Sequence, residues 1–345
     1  MRKFFTPRNI ILIIVVLVAM IGSAVLLKVP LPTIVLPAEK VFTVAGIPVT
    51  NTFFATLIAD VILILLAIFA TRKMKDIPSG LQNLIEWFIE GFHNLSVDVA
   101  GKANAARFFP LFMTILMFVL VANWMGLVPG ADSIGKLEPL ETAYEIAGVT
   151  TGYKVTELPL GIRTLTAEKV TLTDEQKAEI DAHSAEAEAA AEHGEEESHV
   201  SKVGAYVLAP YVRGATTDLN VPLALALISV FWTQVIGFQA LGVGYMRKFI
   251  MPPMTGIKVI DIFIGILEFI SEIAKIISFT FRLFGNVFAG MVLLFVMTFL
   301  VPFIVPLPFY GLEVFVGFMQ AFVFAFLTLI FMSMAVVGHG HEEHH

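Results

Sequence analysis

Seven polar or ionisable side chains, Glu268, Ser271, Glu272, Lys275, Ser278, Arg282 and Asn286, punctuate a tract that is otherwise mostly Ile, Phe, Leu, Val and Met. At a helical pitch of about 100° per residue they share an arc of about 120°. Such a helix has an apolar back and an ionisable stripe, and a stripe of carboxylates, hydroxyls and cations can hold water and pass protons. Glu268 or Glu272 can neutralise Lys275 on the same face. Arg282 has no such partner in sequence: no acid lies between Glu272 and Glu313, and no Lys or Arg follows Arg282. Its guanidinium does not deprotonate in proteins, and an Arg at the centre of a membrane helix costs roughly 2.5–3.5 kcal/mol on insertion scales. A permanent cation placed there needs an anion from another helix or another subunit.

A second, lighter stripe follows. Glu313, Gly317, Gln320 and Thr328 fall within about 80° on a helix that is otherwise Phe, Val, Leu, Met and Ala. A Glu and a Gln on one face, opposite the Arg helix, suit a hydrated proton path. No other reactive constellation stands out. There is no Cys, which removes thiol catalysis and Cys-ligated metals. No nucleophile–base set and no phosphate-binding Gly loop occurs, so neither an enzyme active site nor a nucleotide site is expected, and no cofactor. The tail His339, His341, His344 and His345, with Glu342 and Glu343, could hold zinc or nickel loosely, but reads better as a solvated tail, so no metal site is expected.

The elements that must carry these stripes are membrane helices. The chain has 345 residues, 57% of them hydrophobic and only 15% charged, against about 25% charged in ordinary soluble domains. Apolar spans long enough to cross a bilayer lie at 10–27, 53–71, 108–129, 219–246, 258–301 and 309–337. They are read as helices, because an open sheet leaves its backbone unsatisfied in lipid and a barrel shows alternation of period two. The first has two readings. Basic residues 1–8, a 12-residue apolar run and Gly22-Ser23-Ala24 fit a cleaved signal peptide as well as a retained helix. The tract from Lys258 to Val301 contains no Pro. As one helix it would be roughly 65 Å long, about twice the hydrocarbon thickness, so it must tilt, bend, or break into a hairpin at Gly285 or Gly290. Residues 80–100 repeat Leu81, Leu84, Ile85, Phe88, Ile89, Phe92 and Leu95 at helical spacing, with Glu86, Glu90 and His93 between them, which predicts an amphipathic surface helix.

Orientation follows the basic residues. Placing Arg2/Lys3/Arg8, Arg72/Lys73/Lys75 and Arg247/Lys248/Lys258 in the cytoplasm is consistent with alternating spans. The segment 131–203 then lies outside and the C-terminus inside. That segment holds 16 of the 29 acids and six Lys/Arg, so the net charge of −7 is concentrated there. Overall acidity also argues against nucleic acid as a partner. Within the segment, Thr173 with Gln176 starts a helix over 174–193 through a capping box. The expected fold is therefore all-α and polytopic, with five to six membrane helices, a long steeply tilted pair among them, and one surface helix. Its parts are 1–28 (signal or extra helix), 29–130, the acidic insert 131–215, the channel helices 216–337 and the tail 338–345.

The run Phe281-Arg282-Leu283-Phe284-Gly285-Asn286-Val287-Phe288-Ala289-Gly290 resembles the signature of subunit a of F-type ATP synthases. The resemblance extends through Gln320-Ala321-Phe322 to Ser333-Met334-Ala335, Asp218-Leu219-Asn220-Val221 and 123–129, Asn-Trp-Met-Gly-Leu-Val-Pro. It covers about 53–336 outside the 131–215 region. It implies a bacterial plasma-membrane stator subunit, non-catalytic itself, beside a rotating c-ring and subunit b, with two offset half-channels for protons. It implies that Arg282 is the essential arginine facing the ring carboxylates. Asn286, Glu313, Gln320, Asn123, Thr216 and Asp218 would line the inlet, and Glu268, Ser271, Glu272, Lys275 and Ser278 the outlet. In one respect the chain departs from many bacterial members, which carry a Glu nine residues after the arginine: here that position is Met291. Glu313 stands where some members have His, so the inlet relay implied here rests on Glu313. Transporters and channels of other classes usually show repeated halves or helices broken at matching positions, and no such pairing is present.

Overall fold

The computed structural model describes residues 37–44, 46–72, 74–159, 162–190, 203–250, 258–302 and 305–337, with Val15, Val18 and Gly22. Most of the span 10–27, the centre of the 302–308 turn and the histidine-rich tail lie outside the described residues. Five described helices are long and apolar enough to cross a membrane, so the chain is a multi-pass, predominantly helical membrane protein. The described chain divides into two compact units. One comprises the segment up to Phe54, Leu127–Arg213 and Ala289–Val314; the other comprises Ala55–Gly126, Gly214–Phe288 and Phe315 onward.

In the first unit, strands β1 (Lys40–Val44) and β2 (Ile47–Thr50) form an antiparallel hairpin that leads straight into helix α1 (Asn51–Thr71). The Thr50 hydroxyl accepts a hydrogen bond from Phe53 N–H at 3.3 Å, satisfying one of the free donors of the first helical turn. Residues 131–213 contain more β-structure than expected from the sequence. Strands β3 (Gly135–Pro139), β4 (Thr151–Glu157), β5 (Arg163–Thr171) and β6 (Tyr206–Pro210) form an antiparallel sheet in the order β3-β6-β4-β5. Leu140, Ala143, Leu172, Ala205 and Val207 form a small core involving the sheet and helix α3 (Leu140–Ala147). The capping box is present: Thr173 N–H donates to Gln176 Oε1 at 2.9 Å, Gln176 N–H donates to Thr173 Oγ1 at 3.4 Å, and helix α4 runs Asp174–Ala190.

This unit also buries charge. Arg213 is 4% exposed, donates to the Pro37 carbonyl at 3.4 Å, and acts on both Glu39 and Asp132. Glu39 Oε2 accepts from Asn51 Nδ2 at 3.1 Å, and Glu39 N–H donates to Asn51 Oδ1 at 3.3 Å. Burial nevertheless pushes the Glu39 carboxyl up to about 7, and that of Asp132 up to about 6, against the pull of Arg213. Carboxyls with raised values keep protons in the folded state that the unfolded chain has released. Their stabilising contribution is therefore complete below the unfolded value and is lost as pH rises through about 6 to 7. Thermal unfolding of the purified chain in detergent should thus occur at a lower temperature at pH 8 than at pH 5. Glu39→Gln should flatten that difference, and a variant with the full pH dependence would show that Glu39 does not contribute to it.

In the second unit, helix α2 spans Leu81–Met125 but is interrupted at Gly101, whose φ of 74° and ψ of 156° are not helical. Positive φ is readily available only to glycine. The two arms double back: His93 meets Phe109 at 5.2 Å and Phe92 meets Phe112 at 6.0 Å between ring centroids. In a straight helix, 16 residues would hold such rings roughly 24 Å apart. The amphipathic stretch 81–100 is thus a separate helix packed on its own transmembrane arm through Phe88, Phe92 and Leu95. Helix α5 (Asn220–Leu241) continues through a tight turn into the short α6 (Arg247–Ile250). Helix α7 (Lys258–Leu300) and helix α8 (Pro306–Val336) complete the set. The core joins Phe108, Phe112 and Leu116 of α2, Ala226 and Ile236 of α5, Phe279 and Leu283 of α7, and Phe324, Leu329 and Met332 of α8. Phe279 stacks on Phe331 at 5.6 Å and leans on Phe324 at 4.7 Å.

The expected alternative of a hairpin at Gly285 or Gly290 does not occur: α7 is one helix of 43 residues. At roughly 65 Å it is about twice as long as a bilayer core of about 30 Å is thick.

Candidate functional site

The stripe of α7 divides into two stretches with different surroundings. Toward its N-terminal end the charges are paired. Lys248 Nζ lies 2.8 Å from Glu268 and 3.1 Å from Glu272, and Lys275 Nζ lies 2.8 Å from Glu272. Gln234 Nε2 donates to Glu272 Oε2 at 3.0 Å, and Tyr245 O–H donates to Gln234 Oε1 at 2.8 Å. Lys275 also lies 4.7 Å from the Phe331 ring centroid, within the range of a cation–π contact. Ser271 is exposed.

Two turns beyond Lys275, at Arg282, the pairing stops. Arg282 donates to Ser278 Oγ at 3.3 Å. Both are exposed, and no carboxylate among the described residues forms an ion pair with Arg282. Its neighbours Phe279 and Leu283 are buried, so the back of the helix is held while Arg282 faces away from the chain. Asn286, one turn further, donates through Nδ2 to Gln320 Oε1 of α8 at 2.7 Å. The Gln320 Nε2 is buried with no hydrogen-bond partner among the described residues.

A second polar group joins α2, α8 and the segment before α5. Asn123 is buried, accepts from Thr216 Oγ1 at 2.8 Å and donates to the Gly317 carbonyl at 3.1 Å. Asp218 is buried and accepts from the Asn220 side chain at 3.2 and 3.3 Å, which fixes the start of α5. Glu313 is 8% exposed. It packs against Gly290 of α7, where an added Cβ would run into its carboxylate. Gly290 therefore does not break the helix; it leaves room for Glu313. Met291 beside it offers no titratable group.

The sequence stripes account for the residues of α7 and α8 but not for their partners. Gln234 and Tyr245 lie outside both stripes, and in the sequence Lys248 counts only as an orientation signal. The signal was there in part: Thr233-Gln234 is a polar pair inside an apolar span. Ser229 and Thr328, hydrogen-bonded at 2.8 Å, tie α5 to α8 in the same way.

The described residues thus form a multi-pass helical membrane protein with an exposed arginine between a paired-charge cluster and a group of buried amides and hydroxyls. The ATP synthase A chain family model matches residues 53–333, and the chain belongs to that family. It is 28% identical to ATP synthase subunit a of Helicobacter hepaticus over 310 residues, 89% of this chain and 99% of that protein. It is 25% identical to that of Moorella thermoacetica over 308 residues, 89% and 100%, and 27% identical to that of Campylobacter jejuni strain 81-176 over 292 residues, 84% and 92%.

Proposed function

We propose that this chain is the membrane stator subunit of a bacterial F-type ATP synthase. It passes protons through two offset half-channels to and from the carboxylates of a rotating c-ring, beside subunit b. The observation that carries this reading is Arg282: a permanent cation, exposed on a membrane helix, without an ion-pair partner among the described residues. An arriving ring carboxylate supplies the missing anion, and the guanidinium favours its charged form by Coulomb attraction. The same cation opposes direct proton flow between the half-channels. The inlet runs by Asn123, Thr216, Asp218, Asn286, Gln320 and Glu313, and the outlet by Ser278, Lys275, Glu272, Ser271 and Glu268. Each charge crossing gains about 2.3 kcal/mol per 100 mV. Offset channels turn that gain into rotation, because a proton must ride the ring to leave. The subunit itself binds no nucleotide and needs no cofactor. The insert 131–203 faces outward and the C-terminus lies in the cytoplasm of a bacterial cell.

The absence of Cys makes a single introduced thiol unique. Ser278→Cys, carrying a short photoreactive linker in native membranes, should yield an adduct with a small hairpin ring subunit. Adducts with lipid alone would contradict the reading. Ser133→Cys should react with an impermeant maleimide in intact spheroplasts, and reaction only in inside-out vesicles would reverse the orientation.

A further inference from the structure

The carboxylates of the paired cluster are held differently. Glu272 has both oxygens occupied: Oε1 by Lys248 at 3.1 Å and Lys275 at 2.8 Å, Oε2 by Gln234 at 3.0 Å. The side-chain exposure of Glu272 is 9%, while that of Glu268 is 34%, and among the described residues Glu268 is paired with Lys248 alone. All three groups around Glu272 donate, and the Gln234 amide is oriented by Tyr245 O–H donating to its oxygen. Among the described residues, a proton on Glu272 would face a ring of donors with no acceptor to receive it. Lys248 is shared between the two carboxylates. When Glu268 takes up a proton, Lys248 stays anchored by Glu272.

We propose that Glu272 is a fixed anion, positioned by Gln234, which holds Lys248 and Lys275 in place, so that Glu268 is the outlet carboxylate that exchanges protons. Gln234, Tyr245, Lys248 and Glu272 are then positioning residues. This deepens the proton-outlet reading and rests on it.

A charge-balance experiment separates the roles. Removing one partner of a buried ion pair leaves the other charge uncompensated, whereas removing both need not. Proton uptake driven by ATP is measured in membrane vesicles, with assembled subunit quantified alongside. Glu272→Gln should slow uptake about tenfold, because it strips Lys275 of its carboxylate while Lys248 keeps Glu268, and Glu272→Gln with Lys275→Gln, which leaves the Lys248–Glu268 pair balanced, should recover at least about threefold of that loss. Glu268→Gln should also slow uptake, with no recovery from Lys248→Gln. Gln234→Leu, which removes no titratable group, should slow uptake about threefold with normal assembly. A proton-relaying Glu272 would leave the single and double variants equally slow and Gln234→Leu unaffected, and either result overturns the proposal. So does failure of the double variant to assemble where Glu268→Gln assembles. Arg282→Ala in the same strain is the separate control: normal uptake there would remove the proton-channel reading itself, whatever the cluster does.

Discussion

Arg282→Ala is expected to abolish coupled proton transport, lowering ATP-driven uptake by about 100-fold or more, equivalent to about 2.7 kcal/mol in a rate-limiting barrier. Within the chain Arg282 donates only to Ser278, at 3.3 Å, among the described residues. The apolar contacts of this turn are made by Phe279 and Leu283, which are buried. Alanine therefore removes no packing from the back of α7, and the subunit should reach the membrane in normal amount. Passive proton conductance should rise, because the cation that separates the half-channels is gone. Arg282→Lys keeps the charge but loses the planar fork and some reach, and should also lose most coupling. The measurements are subunit level, ATP-driven uptake and passive conductance in each variant. Normal uptake by Arg282→Ala would overturn the mechanism. Loss of the folded subunit in both variants would instead make Arg282 a structural residue.

How much of this was legible in the sequence depends on what each feature needs. The stripes of α7 and α8 follow from helical period alone, so Glu268 through Asn286 and Glu313 with Gln320 could be placed on faces before any contact was known. Composition and span length likewise gave the membrane helices. The sheet of the insert was hidden because β4 and β5 are largely polar and β3 and β6 are only five residues long. In Thr151–Glu157 and Arg163–Thr171, cross-strand pairing such as Lys154 with Glu168 at 2.5 Å stands where an apolar alternation would have announced a strand. The fold-back at Gly101 was hidden because one glycine in a helical pattern does not reveal its φ. The role of Gly290 was hidden for a related reason. Period puts it on the polar arc, but only the packing of α8 shows that its missing side chain is the space Glu313 occupies. Gln234 and Tyr245 joined the cluster through tertiary contacts that no periodicity along a single helix encodes.

Glu313 carries the second large effect. Its carboxyl is 8% exposed and sits against Gly290, one turn along α7 from Asn286, in a chain whose neighbouring position is the non-titratable Met291. If Glu313 relays inlet protons, Glu313→Gln keeps the shape but removes the exchangeable proton, and ATP-driven uptake should fall about tenfold or more, a barrier change of about 1.4 kcal/mol or greater. Glu313→Asp should retain part of the activity. Gly290→Ala tests the same carboxylate without altering a titratable group, because the new methyl would occupy the space of the Glu313 carboxylate; it too should slow uptake. Shortening the acid should relieve that clash, so Gly290→Ala with Glu313→Asp should pump better than Gly290→Ala alone. Two outcomes would decide against Glu313. Wild-type uptake by Glu313→Gln would move the relay elsewhere, to Asp218 first. Equal loss in Gly290→Ala with and without Glu313→Asp would mean that the glycine serves helix packing rather than the carboxylate.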